Sequence, residues 1–293
     1  VSFDNAYEAI TEQNDARWAF GTGFDSPLSG VDSELPEGVD RADLATYSLM
    51  LADDALVVSH RLQQWCTHAP ELEEEVALAN IALDLLGQAR MLYTRAGQAE
   101  GGDRAEDDYA YFRTESEFGN VRLAELDQPD FAVLVATLLV FTTWRLALLQ
   151  RMTGSRDPVL AAIAAKGIKE VTYHRDYAAQ WVVRLGDGTD YSRQRMRDAL
   201  EAVWPYVDEL FATHPVERRM AEAGVGADPA SLRDECAAVF GTVLESATLE
   251  VPQVSPRAGV AGRAGRHGVH TESMGYLIAE LQAVARAHPE ATW

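Results

Sequence analysis

ELEEEVALANIALDLLGQARMLYTRAGQA, residues 71–99, opens with Glu71, Glu73, Glu74 and Glu75 and then carries Val76, Leu78, Ile81, Leu83, Leu85, Leu86 and Met91 at helical intervals. Carboxylates in a first turn suit the positive end of a helix dipole, and apolar residues on nearly every face mark a helix surrounded by protein. The segment is expected to be a long central helix. Upstream, Leu49, Met50, Leu56, Val57, Leu62 and Trp65 recur at helical spacing between Ala42 and about His68, and Ala69-Pro70 closes that run. Downstream, a charged connection from Gly97 to Gln128 holds a short helical turn near Tyr109 to Phe112. Pro129, a favoured first-turn residue, then opens a third long helix that reaches Gly154. Asp157 before Pro158 supplies the start of a fourth, ending at Gly186-Asp-Gly188.

Further helices are expected over 192–213, with Pro205 as a kink, and over 215–223, 228–249 and 271–288. No stretch keeps a two-residue alternation, and no internal repeat stands out. The expected fold class is all-α, a four-helix bundle with additional C-terminal helices. Residues 1–40 differ in composition: a helix-compatible segment from Tyr7 to Phe20 precedes a run punctuated by Gly21, Gly23, Pro27 and Pro36. They are expected to form an N-terminal arm on a helical domain spanning 41–293.

The chain has 293 residues, 47% of them hydrophobic and 24% charged, enough apolar material for a substantial core. Its 25 Lys and Arg stand against 46 Asp and Glu, a formal charge of -21 that repels nucleic-acid backbones and anionic membrane surfaces. Neither is an expected partner. Cys66 and Cys236 are the only cysteines, too few for a disulfide framework or a thiolate zinc site, which fits a reducing, cytoplasmic setting. The apolar run Phe131 to Phe141 is interrupted by Thr137 and falls short of the roughly 20 residues that cross a bilayer, so it is expected in the core. The first residues lack the basic and apolar regions of a secretory signal.

A large acidic bundle with one long crossover suggests the ferritin-like class, whose di-iron sites take a Glu from each of two helices and a Glu-x-x-His pair from each of the others. Three residues before each histidine stand Val57, Trp65, Val171, Phe211, Ala264, His267 and Ala285, so no Glu-x-x-His exists here. The third helix has no acid from Phe131 to Ser155, and Thr142 and Thr143 occupy its middle. Asp53 and Asp54 lie mid-helix, where burial requires hydrogen-bonded partners for each. No Gly-x-Ser-x-Gly elbow, phosphate-binding loop or dinucleotide fingerprint appears, which argues against independent hydrolase, kinase and dehydrogenase functions.

The strings Ala69-Pro-Glu-Leu-Glu73, Ala77 through Arg90, Ser155-Arg-Asp-Pro158, Lys166 through His174 and Gly265-Arg-His-Gly-Val-His-Thr-Glu272 resemble the C subunits of bacterial phenylacetyl-CoA epoxidases. The resemblance runs from about Ala42 to Trp293. It implies a ferritin-like structural subunit without chemistry of its own in a multicomponent monooxygenase. A related catalytic chain, the A subunit, would carry the di-iron centre, and a reductase with FAD and an iron-sulfur cluster would deliver electrons from NADPH for epoxidation of phenylacetyl-CoA by dioxygen. In that light the Glu-x-x-His positions of a catalytic relative fall on Leu85 and Gln88 and on Val171 and His174, with Thr142 at the third-helix position. His174 then reads as a histidine satisfied within the bundle, near Glu170.

Residues 251–271 contain no acid, against the trend of the chain, and hold Arg257, Arg263, Arg266, His267 and His270 among glycines. Guanidinium forks match carboxylate and phosphate oxygens, so this loop is a candidate contact for an acidic partner or for the phosphates of coenzyme A. His267 and His270 with Glu272 form too small a set for a convincing zinc site. Two other functions remain open: a di-iron oxygenase with an atypical ligand set drawn from Asp53, Asp54, Asp84, Glu170 and His174, or an acyl-CoA-binding regulatory protein.

Overall fold

In the computed structural model, residues 28 and 30–291 are described. Among them are nine α-helices: α1 (Arg41–Gln63), α2 (Leu72–Glu100), α3 (Glu106–Tyr111), α4 (Phe131–Met152), α5 (Pro158–Gly186), α6 (Asp190–Val203), α7 (Pro215–Glu222), α8 (Arg233–Ser246) and α9 (Glu272–Ala287). Only an isolated bridge between Val260 and Arg263 pairs extended backbone among the described residues. The fold is all-α and ferritin-like: α1 packs along α2, α4 along α5, and α2 meets α5, so the four long helices make the bundle. Helix α6 lies on α4 and α5, α7 on α1, α8 on α4 and α5, and α9 on α3.

Side-chain caps set where three of the long helices begin. Asp40, Asp130 and Asp157 accept hydrogen bonds of 2.9 Å from the amides of Asp43, Val133 and Leu160. Each satisfies one of the amides that a first turn leaves without a helical partner. Pro129 therefore precedes the cap rather than entering α4. Helix α1 stops at Gln63 rather than near His68, and Thr67 turns the chain at φ 80°. Pro205 ends α6 instead of kinking it: having no N–H, it cannot continue the ladder, and tight 3-10 turns follow over 204–211. The expected helix from Asp228 likewise begins as a 3-10 turn, Pro229–Leu232, before α8 proper.

Helix α4 has the extent read from the sequence, but its apolar character continues beyond the Phe131 to Phe141 run. It runs for 22 residues with a mean hydropathy of 2.0 in its most apolar window, long and apolar enough to cross a membrane by those measures alone. In the fold 94% of that window is buried by protein, so other helices supply its apolar surroundings. Helix α2 differs the other way. Leu78, Ile81, Leu85 and Leu92 fill the core, but Leu72, Val76 and Leu83 are exposed by 71%, 53% and 62%. The helix is flanked by α1 and α5 and leaves one line of side chains uncovered.

Trp144 is fully buried. Trp65 and Trp181 flank Phe131 at ring distances of 6.0 and 4.9 Å, and Trp204 meets Phe240 at 5.5 Å. Of the expected arm, the segment from Tyr7 to Phe20 lies outside the described residues. The last part of the arm lies against the bundle through Val31, Leu35 and Val39, with the Ser33 carbonyl accepting from Arg95 at 2.7 Å.

Candidate functional site

Leu85, Gln88, Thr142, Val171 and His174, the positions that the sequence resemblance implies for metal ligands in a catalytic relative, are all fully buried, and their chemistry differs from metal ligation. Leu85 of α2 and Val171 of α5 are fully buried hydrocarbon. Thr142 of α4 donates its hydroxyl to the Leu138 carbonyl of its own helix at 2.6 Å. Gln88 of α2 accepts from Arg145 Nε of α4 at 3.0 Å and donates to Glu170 Oε2 of α5 at 3.0 Å. Lys166 sits 3.0 Å from the other Glu170 oxygen, one turn earlier on α5. A guanidinium thus stands among these positions.

Arg145 is completely buried, donates to the Leu51 carbonyl at 3.1 Å, and leaves Nη2 without a hydrogen-bond partner. Burial pushes its pKa down to about 10, against the attraction of Asp54. It therefore keeps its positive charge at neutral pH. Sequence reasoning missed this residue, although it carries a signal: Arg145 is the single charged residue between Phe131 and Gln150.

His174 Nε2 lies 3.0 Å from Asp84 Oδ2 across the α2–α5 seam. Its partner is Asp84, whereas Glu170 is engaged with Gln88 and Lys166. Burial lowers the His174 pKa, with Asp84 opposing, and the neutral ring keeps Nδ1 buried without a partner.

The neighbouring aspartates of α1 face two different arginines. Asp53 is fully buried and forms an ion pair with Arg113, which follows α3; it also accepts from the Tyr93 hydroxyl at 2.7 Å and the Gly119 amide at 2.8 Å. Asp54 accepts from Arg266 Nη1 and Nη2 at 3.0 and 2.8 Å and from the Val121 amide at 2.9 Å. Glu217 of α7 approaches Arg266 Nε at 3.3 Å. Burial opposes the charge on Arg266, but Asp54 and Glu217 outweigh it and hold the guanidinium above its ordinary pKa.

Arg266 is thus a structural cation of the core, unlike the surface contact expected from sequence. Its guanidinium also donates to the carbonyls of Met50 and Gly119 at 3.2 and 2.7 Å. Two glycines shape the loop around it: a side chain at Gly265 would collide with the Asn120 carbonyl, and Gly268 turns back at φ 68°. His270 is also committed inward, with Nε2 3.0 Å from the Phe118 carbonyl and Nδ1 3.4 Å from Glu125. His267 is exposed and packs edge-on against His214 at 4.8 Å, so His267 and His270 point to different surroundings. Arg257 and Arg263 remain exposed, and neither pairs with a carboxylate among the described residues. Arg263 donates to the His267 carbonyl at 2.9 Å, while the Arg257 carbonyl accepts from Arg122 at 2.9 Å.

These contacts correct the atypical ligand set of Asp53, Asp54, Asp84, Glu170 and His174. The five are divided among Arg113, Arg266, Gln88, Lys166 and each other, and no group of three or more His, Cys, Asp or Glu residues suited to a metal ion occurs among the described residues. The donor set does not fit a di-iron pair, because hydrocarbon stands at two of the positions that the resemblance implies, Leu85 and Val171, and the buried Arg145 cation lies beside a third, Gln88. Burial raises the pKa of the Cys236 thiol to about 12, so this cysteine stays protonated at neutral pH.

Comparison with known proteins agrees with the sequence resemblance. A family model described as phenylacetic acid catabolic protein matches residues 31–293. The C subunit of the 1,2-phenylacetyl-CoA epoxidase of Escherichia coli (strain K12) is 43% identical over 252 residues, which cover 85% of this chain and 99% of that protein.

Proposed function

The chain belongs to the phenylacetic acid catabolic protein family, and from that premise we propose that it is a subunit of a phenylacetyl-CoA epoxidase that supports the oxygenase chemistry without performing it. The observation that carries this reading is the bundle interior, where Leu85, Val171 and the buried Arg145 stand in place of carboxylates and imidazoles. A bundle filled in this way is a rigid helical body. Packed against a related catalytic subunit, it would hold that partner's helices in register, and di-iron ligands need their geometry kept to about half an ångström. The di-iron centre belongs to that catalytic partner, and electrons reach it from NADPH through the FAD and iron-sulfur cluster of the reductase. Phenylacetyl-CoA is the substrate of the assembly.

The exposed pair Arg257 and Arg263, without carboxylate partners, favours one refinement: this loop contacts either an acidic surface of another subunit or the coenzyme A phosphates. The test of the main reading has two parts. The isolated chain, loaded anaerobically with ferrous ion and desalted, is expected to retain near-zero iron and no epoxidase activity. Mixed with the reductase and the catalytic subunit, it is expected to co-elute with the latter and restore turnover. Close to two irons per chain, or full turnover in its absence, overturns the proposal, and failure to co-elute with the catalytic partner favours a separate regulatory protein.

A further inference from the structure

Arg145 Nη2 of α4 and His174 Nδ1 of α5 belong to fully buried side chains, and neither nitrogen has a hydrogen-bond partner among the described residues. A buried polar atom left unpaired is costly, and one on a charged group costs most. The guanidinium is otherwise engaged: Nε donates to Gln88 at 3.0 Å and Nη1 to the Leu51 carbonyl at 3.1 Å. Nη2 shares an edge of the planar fork with Nε–H, so it lies on the Gln88 side, toward α2 and α5.

Helix register brings the two nitrogens to one place. Gln88 meets Glu170 and Asp84 meets His174, each at 3.0 Å, so α2 and α5 run antiparallel. These two rungs lie about 6 Å apart along the axis, four residues at the helical rise. Helix α4 is also antiparallel to α5, to which a short turn joins it, and Gly167 lies against the Leu149 side chain. Counting back along α4 from that contact sets Arg145 level with Val171 and Thr142 level with His174. Arg145 and Thr142, three residues apart, share a helix face. Two hydrogen bonds of about 2.8–3.0 Å end to end span the distance from the Arg145 level to the His174 level.

The chemistry of the three groups selects what joins them. Burial lowers the His174 pKa, so the ring is neutral at pH 7. Its Nε2 faces the Asp84 carboxylate, which accepts, so the ring proton is on Nε2 and Nδ1 is an acceptor. Arg145 Nη2 only donates. The Thr142 hydroxyl proton goes to the Leu138 carbonyl at 2.6 Å, and its oxygen keeps lone pairs to accept another. We propose that the bundle interior binds one water molecule, which accepts from Arg145 Nη2 and donates to His174 Nδ1 and Thr142 Oγ1. Three partners are the ordinary complement of a buried water. An anion would satisfy the guanidinium but could not donate to Nδ1, and a metal cation would be repelled by Arg145. The water ties α4 to the α2–α5 seam through hydrogen bonds that no side chain supplies. The inference concerns the interior of this chain and stands apart from its role beside a catalytic subunit.

A high-resolution crystal structure of the full chain, grown at neutral pH and soaked in sodium bromide, tests it. The expected result is a single water peak within about 3.2 Å of Arg145 Nη2, His174 Nδ1 and Thr142 Oγ1, without anomalous bromide signal. In solution, oxygen-17 relaxation dispersion counts long-lived internal waters. His174→Phe removes the acceptor and puts hydrocarbon in its place, and is expected to lower that count by one, with circular dichroism verifying that the variant folds. Where it does not fold, the wild-type density decides alone. A bromide ion at the site, a direct Arg145–His174 hydrogen bond, a water that touches only one of the three atoms, or an unchanged count in a folded His174→Phe overturns the proposal.

Discussion

Replacing Asp54 by Asn tests whether the bundle interior is held by charge. Asp54, Glu217, Arg266 and Arg145 form a buried group of two negative and two positive charges, so the wild-type sum is zero. The substituted amide would keep an acceptor for the Val121 N–H but lose the paired acceptors for Arg266 Nη1 and Nη2, leaving a net positive charge in the core. Removing one partner of a buried ion pair costs about 3–5 kcal/mol. For 293 residues, at about 2.1 cal/mol/K each, the unfolding entropy is about 0.6 kcal/mol/K, and the expected fall in Tm is about 5–8 °C.

Urea unfolding followed by circular dichroism reads this loss directly. The companion double variant, Asp54→Leu with Arg266→Met, removes both members and leaves Glu217 and Arg145 to balance. It is expected to cost less than the sum of the single variants by about 2 kcal/mol. The competing possibility is a protonated Asp54, since burial raises its pKa while Arg266 opposes the rise. A neutral Asp54 would make the Asn substitution nearly silent. A loss below about 1 kcal/mol for Asp54→Asn, or strict additivity in the double variant, would refute the ion-pair account.

The parts of this fold legible in sequence were those written locally. Asp157 before Pro158 marks the start of α5, and the cap is where the spacing put it. The missing Glu-x-x-His pairs were equally plain, because that motif is complete within one helical turn. The ion pairs were not legible, since Asp53 meets Arg113 from 60 residues away and Asp54 meets Arg266 from 212. Arg266 looked like a surface residue because its loop is rich in glycine. Those same glycines let the backbone come close enough to bury it. Val76 and Leu83 failed in the opposite sense: apolar composition alone does not distinguish a side chain facing the core from one facing an unfilled seam.

The other expectations concern the loop and a buried histidine. Arg257→Ala combined with Arg263→Ala should leave unfolding unchanged and weaken association with the other subunits or raise the KM for acyl-CoA by about tenfold, whereas Arg266→Ala should cost about 3–5 kcal/mol of stability. Equilibrium unfolding and steady-state kinetics separate the two, and loop variants indifferent in both assays would remove the contact assignment. For His174 the sign follows from burial. Its folded pKa lies below the ordinary 6.5, with Asp84 and Glu170 opposing the shift and Arg145 reinforcing it. Above about pH 6.5 the ring is neutral in both states and its contribution to stability is complete. As pH falls below that value, the unfolded chain takes up a proton that the folded chain resists, and stability declines until the folded ring titrates as well. His60 shares this direction, while the pairing of His270 with Glu125 raises its pKa and gives the opposite slope. The difference between wild type and His174→Gln isolates the term: the variant should lose less stability on acidification below about pH 6.5. An NMR titration midpoint for His174 at or above 6.5 would show instead that Asp84 dominates burial, and the bundle would then contain an imidazolium in place of the neutral ring.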